Sequence, residues 1–493
     1  MQMDFLDPSK KKAHKQRLMF GYFLMSIVIA LGTLLIFYLA YGFDIDRKTG
    51  DLIQNGIVFV DSKPKNAKVF VNDIEQRNRT DTRLVLPAGV YTIRIEGENR
   101  RHWERTIDLN GGEIERLVYP YLLPNTLVTE DVATMDVLPS LATQSPDRRW
   151  LLMPDSKNVS SFSVYDTGDI TKQPKTVEIP ANILTEPKAV SSLKFVEWSR
   201  DNQNIVFERI YDTDKSEFIV FNHTDPASSF NINTTFGIKP KTVSLKNKRY
   251  DQIYYLDNTL GRLRVADVKN KTISAPLLED VIDYTTYDDI VMFVTQKDVE
   301  AGRAEFRVFE GGNVYPLKNV AQSDVYSMDL SKYDGKWYYV VAASADNMGF
   351  VYQEPLSALK SDTKKPLTVT AIMRLDNPRF VSFSAGTQFI GLQSGNKLLT
   401  FDLEKDHQYR LDLAVPVPVE QEIKWMDGHR YIYSFEGQSY IVDFDGSNEE
   451  TLVTSLLDSG PFFDRDYDNV FTFEGSKSQP DKKALTITVI DDR

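Results

Sequence analysis

No cysteine occurs anywhere in the 493 residues. Disulfides, thiolate metal sites, a thiol nucleophile and a cysteine-borne lipid anchor are thereby excluded. Large outward-facing eukaryotic proteins are commonly braced by disulfides, so a cysteine-free chain of this size that faces outward points to a bacterial envelope protein relying on core packing. Histidine is scarce as well. Of His14, His102, His223, His407 and His429, no two stand at metal-ligand spacing, and each reads as a solvated or capping residue. The chain lacks Gly-x-Ser-x-Gly, His-Glu-x-x-His and any phosphate-cradling glycine loop, so no catalytic constellation and no cofactor are expected. Nor is there a surplus of positive charge: 58 Lys and Arg stand against 70 Asp and Glu, a net charge of −12. That balance argues against a nucleic-acid or anionic-lipid surface.

A second long apolar run is missing too, which gives the single one present its weight. Residues 18–43, LMFGYFLMSIVIALGTLLIFYLAYGF, carry no charge. As a helix rising about 1.5 Å per residue they would reach roughly 39 Å, enough to cross roughly 30 Å of hydrocarbon with some tilt. Phe20, Tyr22 and Phe23 at one end, and Phe37, Tyr38, Tyr41 and Phe43 at the other, suit interfacial belts. Lys10, Lys11, Lys12, Lys15 and Arg17 precede the run, whereas Asp44, Asp46, Arg47, Lys48 and Asp51 follow it. A positive cluster resists translocation, so the N-terminus is expected inside a bacterial cytoplasmic membrane and the remainder outside. The expected order is a cytoplasmic tail (1–17), a transmembrane helix (18–43) and a polar tether (44–55). A cleaved signal peptide is the rival reading, because Ala40 and Gly42 form a small-x-small pair.

Beyond the tether, residues 56–123 alternate with period two. In AKVFVN, Ala67, Val69 and Val71 share one face; in VYTIRIE, Tyr91, Ile93 and Ile95 do. Such alternation predicts strands with one face on a core. Further strands are expected at 57–61, 83–86, 103–109 and 114–118, separated by turns at Asn72-Asp73, Pro87-Ala88-Gly89 and Asn110-Gly111-Gly112. Six strands in so short a segment predict a small β-sandwich. The run from Ser62 to Asn72 (SKPKNAKVFVN), then LPAGVYTI from Leu86, then the strand opening at Trp103, resembles a PEGA domain. Asn66 stands where that family usually has glycine, and Arg101-His102-Trp103 replaces its Gly-Tyr. The resemblance implies a surface or envelope β-module without known catalysis. Two prolines in residues 119–124 predict an extended link to the remainder of the chain.

From residue 124 a polar turn followed by a hydrophobic strand recurs eight times. The turns are marked by Asp147, Asp201, Asp251, Asp288, Asp334, Gly386, Asp427 and Asp468. A period near 40–50 residues without helical segments predicts a β-propeller over 124–493. Eight blades are expected, with seven and a loose C-terminal hairpin as the alternative. The units at Ser145 and Ser199 resemble the TolB-type, WD-like repeat, with Arg148 and Asn202 in place of its glycine. The last unit supplies three strands where a blade has four, so residues 126–132 are expected to complete it by pairing with 485–490, closing the ring. The fold class is therefore an all-β ectodomain, a small sandwich plus a propeller, on one N-terminal helix.

Few residues ask for chemistry. Asp464, Asp466 and Asp468 stand at alternate positions and could wrap oxygen ligands around Ca²⁺. The twelfth position, which wants a bidentate glutamate, is Gly475, with Glu474 one short; an aspartate-rich hairpin is the rival. Asp212-Thr213-Asp214 and Asp443-Phe444-Asp445-Gly446 read as loop tips. Aromatic pairs such as Tyr254-Tyr255, Tyr338-Tyr339 and Phe462-Phe463 are expected to pack mostly between blades, with a minority reaching a binding face. A non-enzymatic, surface-displayed binding or scaffolding protein for a cell-wall glycan or partner protein is the reading these features favour. A propeller hydrolase or lyase and a TolB-like envelope-assembly accessory are the alternatives; ionisable groups converging on the channel would favour the enzyme, and an aromatic patch would favour binding.

Overall fold

In the computed structural model, which describes residues 8–40, 43–45, 52–155, 158–186, 192–212, 215–361, 367–457 and 460–491, the N-terminal helix spans Pro8–Ala40. Most of the expected tail is thus helical. Pro8 needs no amide partner in a first turn, and the Lys, Ala, Gln and Arg after it are good helix formers. Within the helix, Lys15–Tyr38 has a mean hydropathy of 2.3 and none of its apolar window is buried in protein. It is long and apolar enough to cross a membrane, as an anchor or as a signal sequence. Residues 1–7 of the expected tail, 41–42 at the candidate cleavage site, 46–51 of the tether and 213–214 of one acidic tip lie outside the described residues.

The tether is the expectation that fails. Phe43–Ile45, its first residue taken from the expected span, pairs antiparallel with Leu52–Gln54, and Leu52–Val60 is one continuous strand. Leu52 and Ile53 continue the apolar pattern of the strand they enter, which a reading based on local polarity overlooked. Chain contacts divide the protein after Thr126. In the first unit, Leu52–Val60 lies between Thr82–Pro87, antiparallel, and Ile114–Leu117, parallel. A second sheet runs Ile74–Glu75, Lys68–Val71, Gly89–Glu96, Trp103–Leu109. Val69, Ile93 and Ile95 are fully buried, and Ala67 and Val71 nearly so, as the alternation requires. Asn66 has φ 66°, the left-handed conformation that explains a family glycine there and that asparagine tolerates. Residues 119–124 are not a free link. Leu122 and Leu123 are buried, Leu122 N–H donates to Lys63 O and Lys63 N–H to Pro120 O, and Arg101 N–H donates to Leu123 O at 2.8 Å.

The second unit, 127–492, contains eight four-stranded antiparallel sheets among its described residues. We number them as blades 1 to 8: 143–178, 192–231, 240–273, 281–321, 326–374, 380–412, 424–454, and 462–489 with Val128–Met135. In each, the flagged aspartate or glycine sits in the turn joining the first two strands. Arg148 and Asn202 occupy their glycine positions with φ of 61° and 60°. Two short helices, Ile232–Phe236 and Pro355–Ser361, occur where none was expected.

Blades bury one another through shared apolar clusters. Leu152 and Phe162 of blade 1 meet Phe207 and Phe221 of blade 2, with Phe162 stacked on both rings at 5.3 and 5.2 Å. Ala142, Leu151 and Tyr165 of blade 1 pack on Phe462, Phe471 and Phe473 of blade 8, so the first and last repeats are neighbours. Val128–Met135 pairs with Lys483–Val489, Val128 opposite Val489 and Ala133 opposite Leu485. The ring is closed by the strand that arrives before blade 1.

Candidate functional site

The first strand of each blade lines the ring's channel, and side chains from distant blades meet there. A cavity of about 640 Å³ opens between blades 1, 2, 6, 7 and 8. Leu141, Phe195, Trp425, Phe462 and Phe463 supply apolar wall, Gln144 and Thr143 polar groups, and Arg148, Lys194 and Lys424 positive charge. Neither aspartate, glutamate nor asparagine lines it.

Each wall group is fixed differently. Gln144 donates through Nε2 to Arg148 O and Phe463 O, at 2.9 and 2.7 Å, tying blade 1 to blade 8. Thr143 Oγ1 accepts from Trp198 Nε1 at 2.9 Å. Trp425 stacks on Tyr431, centroids 3.8 Å apart, and donates from Nε1 to Ser382 Oγ at 3.1 Å. The Arg148 guanidinium lies 3.8 Å over the Tyr467 ring and also bonds its hydroxyl. Lys194 and Lys424, both exposed, make no ion pair with any described residue. Phe195 is 41% exposed although it sits on an inner strand.

Elsewhere in the channel the charge is mixed. Asp329 of blade 5 senses Glu422 of blade 7 and Lys248 from the first turn of blade 3, which only a shared lumen permits. Burial pushes the Asp329 carboxyl up to about 6, against the pull of the Leu330 N–H at 2.8 Å. Burial likewise raises Glu422, opposed by Lys424, and Asp283, opposed by its bond from Tyr284 N–H and by Lys241. Asp283 is ringed by protein yet touches solvent, as a channel residue does. Lys248 Nζ pairs with Glu197 at 2.5 Å, and Glu197 also accepts the Leu245 N–H.

Residues flagged in the sequence play structural parts. The Asp464 carboxylate accepts N–H bonds from Asp468 and Asn469 and the Asn469 amide at 2.6 Å, the pattern of a hairpin turn. Among the described residues no three acidic or histidine side chains, Asp464, Asp466 and Asp468 included, are gathered as a metal ion would need. His223 is buried, bonded to Asn202 O at 2.9 Å, and its pKa is lowered by burial; His429 lies edge-on to Phe389. Tyr254, Tyr255, Tyr338 and Tyr339 are buried between blades, whereas Phe462 and Phe463 reach the cavity. Lys194, Phe195, Lys424 and Trp425 went unmarked. The signal available was a lysine directly before an aromatic on the first strand of two different repeats.

Two other clefts compete less well. One in the sandwich holds Lys65, Lys68, Arg79 and Arg100, but these engage Asp81, Glu75, Asn66 O and Leu122 O. The other, on blades 3 and 4, has Lys246 paired with Asp289 at 3.1 Å.

Comparison with known proteins respects the same division. Residues 55–119 match the PEGA domain family. This PEGA segment coincides with the sandwich and covers no part of the ring. Among curated proteins nothing matches the chain. Among solved structures, the β-propeller domain of Cps50 (Swd1) from Myceliophteria thermophila is similar at 14% identity over 65% of this chain and 97% of its own, with a TM-score of 0.39. The dihydro-heme d1 dehydrogenase NirN shares 13% identity over 64% of this chain and 66% of its own, with a TM-score of 0.40. The propeller assignment itself stands on the strand order of the eight blades. No catalytic family is identified, although one of these neighbours is an enzyme.

Proposed function

We propose that the protein is a binding or scaffolding module, anchored by its N-terminal helix in a bacterial cytoplasmic membrane with the PEGA segment and the ring outside. The lysines before the helix support that orientation. One observation carries the binding role: the channel cavity presents an exposed phenylalanine, a tryptophan edge and two lysines without ion-pair partners. Aromatic surface and unspent charge inside a concave site are what a ligand would satisfy. A cell-wall glycan or a partner protein is the class of ligand. The test is a photo-crosslinking residue at Phe195 in intact cells, with Tyr250, exposed outside the cavity, as control. Adducts specific to the Phe195 position are expected; equal labelling from both positions would remove the cavity as the contact site.

A second reading, a channel hydrolase or lyase, is supported by the raised carboxyls of Asp329 and Glu422. Asp329→Asn separates the two. A binding module keeps its Phe195 adducts unchanged, while an enzyme accumulates bound, unprocessed substrate.

A further inference from the structure

We infer that the channel cavity accepts an anionic peptide segment, a chain that carries aspartate or glutamate side chains between apolar ones. This rests on the binding role proposed above and names its ligand class.

The charge of the wall is the first argument. In a chain of net charge −12, this cavity is lined by three cations and no carboxylate. Arg148 is occupied by Tyr467. Lys194 from blade 2 and Lys424 from blade 7 remain, two ammonium groups on separate blades with no ion pair among the described residues. Glu422, whose carboxyl burial raises and Lys424 lowers, does not line the cavity and makes no ion pair with Lys424 among the described residues. Glu197 on the Lys194 strand is taken by Lys248 and a backbone N–H. Two positive charges carried by separate blades favour a ligand with more than one negative group.

The second argument is what lies between the lysines. Phe195, Trp425, Phe462 and Phe463 give apolar surface that a purely ionic ligand would leave uncovered. A neutral glycan stacks on such rings but donates its hydroxyls, and to accept them the lining offers the Gln144 amide and two hydroxyls, Ser140 and Thr143, with no carboxylate, while the lysines would go unmatched. About 640 Å³ holds several side chains of an extended segment and excludes a folded domain.

The full chain in lipid nanodiscs should be used to select from a random peptide display library, with a parallel selection on a Lys194→Glu, Lys424→Glu double variant. Enriched peptides should carry Asp or Glu flanked by Leu, Ile, Phe or Trp. Their synthetic forms should bind the variant at least about tenfold more weakly, and more weakly still at high salt. Both lysines are exposed, so the variant's thermal melt should be unchanged; if it is not, Lys194→Gln and Lys424→Gln tested singly carry the same expectation at smaller size. No enrichment, neutral consensus peptides, or equal affinity for the variant would overturn the proposal. So would binding of a polygalacturonate oligomer in preference to every selected peptide, which assigns the cavity to an anionic glycan. Phe195 adducts that persist through such a failure would leave the binding role intact and remove only the peptide class.

Discussion

In the sandwich, partners lie close in the chain: the Asn72 side chain accepts from Thr92 N–H, 20 residues on, and Val69 and Val71 face Ile95 and Ile93 across one ladder. In the ring, Thr129 meets Thr488 at 2.8 Å across 359 residues of sequence. The sandwich buries one core between two sheets. The ring divides its apolar residues among clusters that each belong to two blades, so no blade has a core of its own. Local closure makes the sandwich insensitive to events far along the chain. The ring is cooperative only while its last strand holds its first.

The sharpest way to break the comparison is to delete 484–493. That removes the ladder from Ala484 to Val489, which pairs with residues 469–474 on one side and 128–134 on the other. Calorimetry should show the ring's transition lost or collapsed and the sandwich's transition unmoved. A ring that melts at its wild-type temperature would mean closure contributes nothing.

Val71→Asp makes the converse test. The site is nearly sealed, 6% exposed, and the new carboxylate would have no partner in a small core. A loss of about 4 kcal/mol is expected, confined to the sandwich. Unchanged melting of both transitions would contradict the assigned face.

Glu217→Gln probes the ring without touching its closure. Glu217 and Arg209 face each other on adjacent strands of blade 2, 2.6 Å apart and both 1% exposed. Glu217 also accepts from Asn231 Nδ2 at 2.7 Å and Thr185 N at 3.2 Å, and Arg209 donates to Thr185 O at 2.9 Å. Neutralising one partner leaves a buried guanidinium uncompensated, at a cost of about 3 kcal/mol. Denaturant titration should show the midpoint of the ring falling with its slope unchanged.

How legible each part was depends on the same contrast. Alternation at Val69, Val71, Ile93 and Ile95 is a local property, so strands and faces could be read directly. The repeat of turn aspartates gave the blades, and counting strands in the last repeat gave the closing pair. The strand at Phe43–Ile45 escaped because its partner, not its own composition, makes it a strand. The cavity escaped for a stronger reason. Gln144, Lys194, Trp425 and Phe462 belong to four blades and become neighbours only when the ring closes. At Asp464 the spacing alone left calcium and a hairpin open, and the Asp468 and Asn469 N–H bonds to its carboxylate follow the hairpin pattern.

The smallest effect concerns the channel itself. Burial raises the Asp329 carboxyl from an ordinary value of 3.8 to about 6, with Glu422 adding to the rise and the Leu330 N–H and Lys248 opposing it. An acid whose pKa is higher folded than unfolded favours the fold when protonated. That contribution is complete below pH 3.8 and is lost as the pH climbs through about 6. Near neutral pH, the folded ring therefore holds an ionised carboxylate at a cost of about 2 kcal/mol, allowing for its partial exposure. Asp329→Asn removes the titration and keeps the side chain's shape, with one oxygen left to accept from the Leu330 and Phe383 N–H groups. The variant's ring should melt above wild type at pH 7 to 8, and the two curves should converge below pH 4. A difference that stays constant with pH would mean Asp329 is not the titrating group. An Asn variant that is less stable at pH 7 would mean that the carboxylate's bonds outweigh its burial.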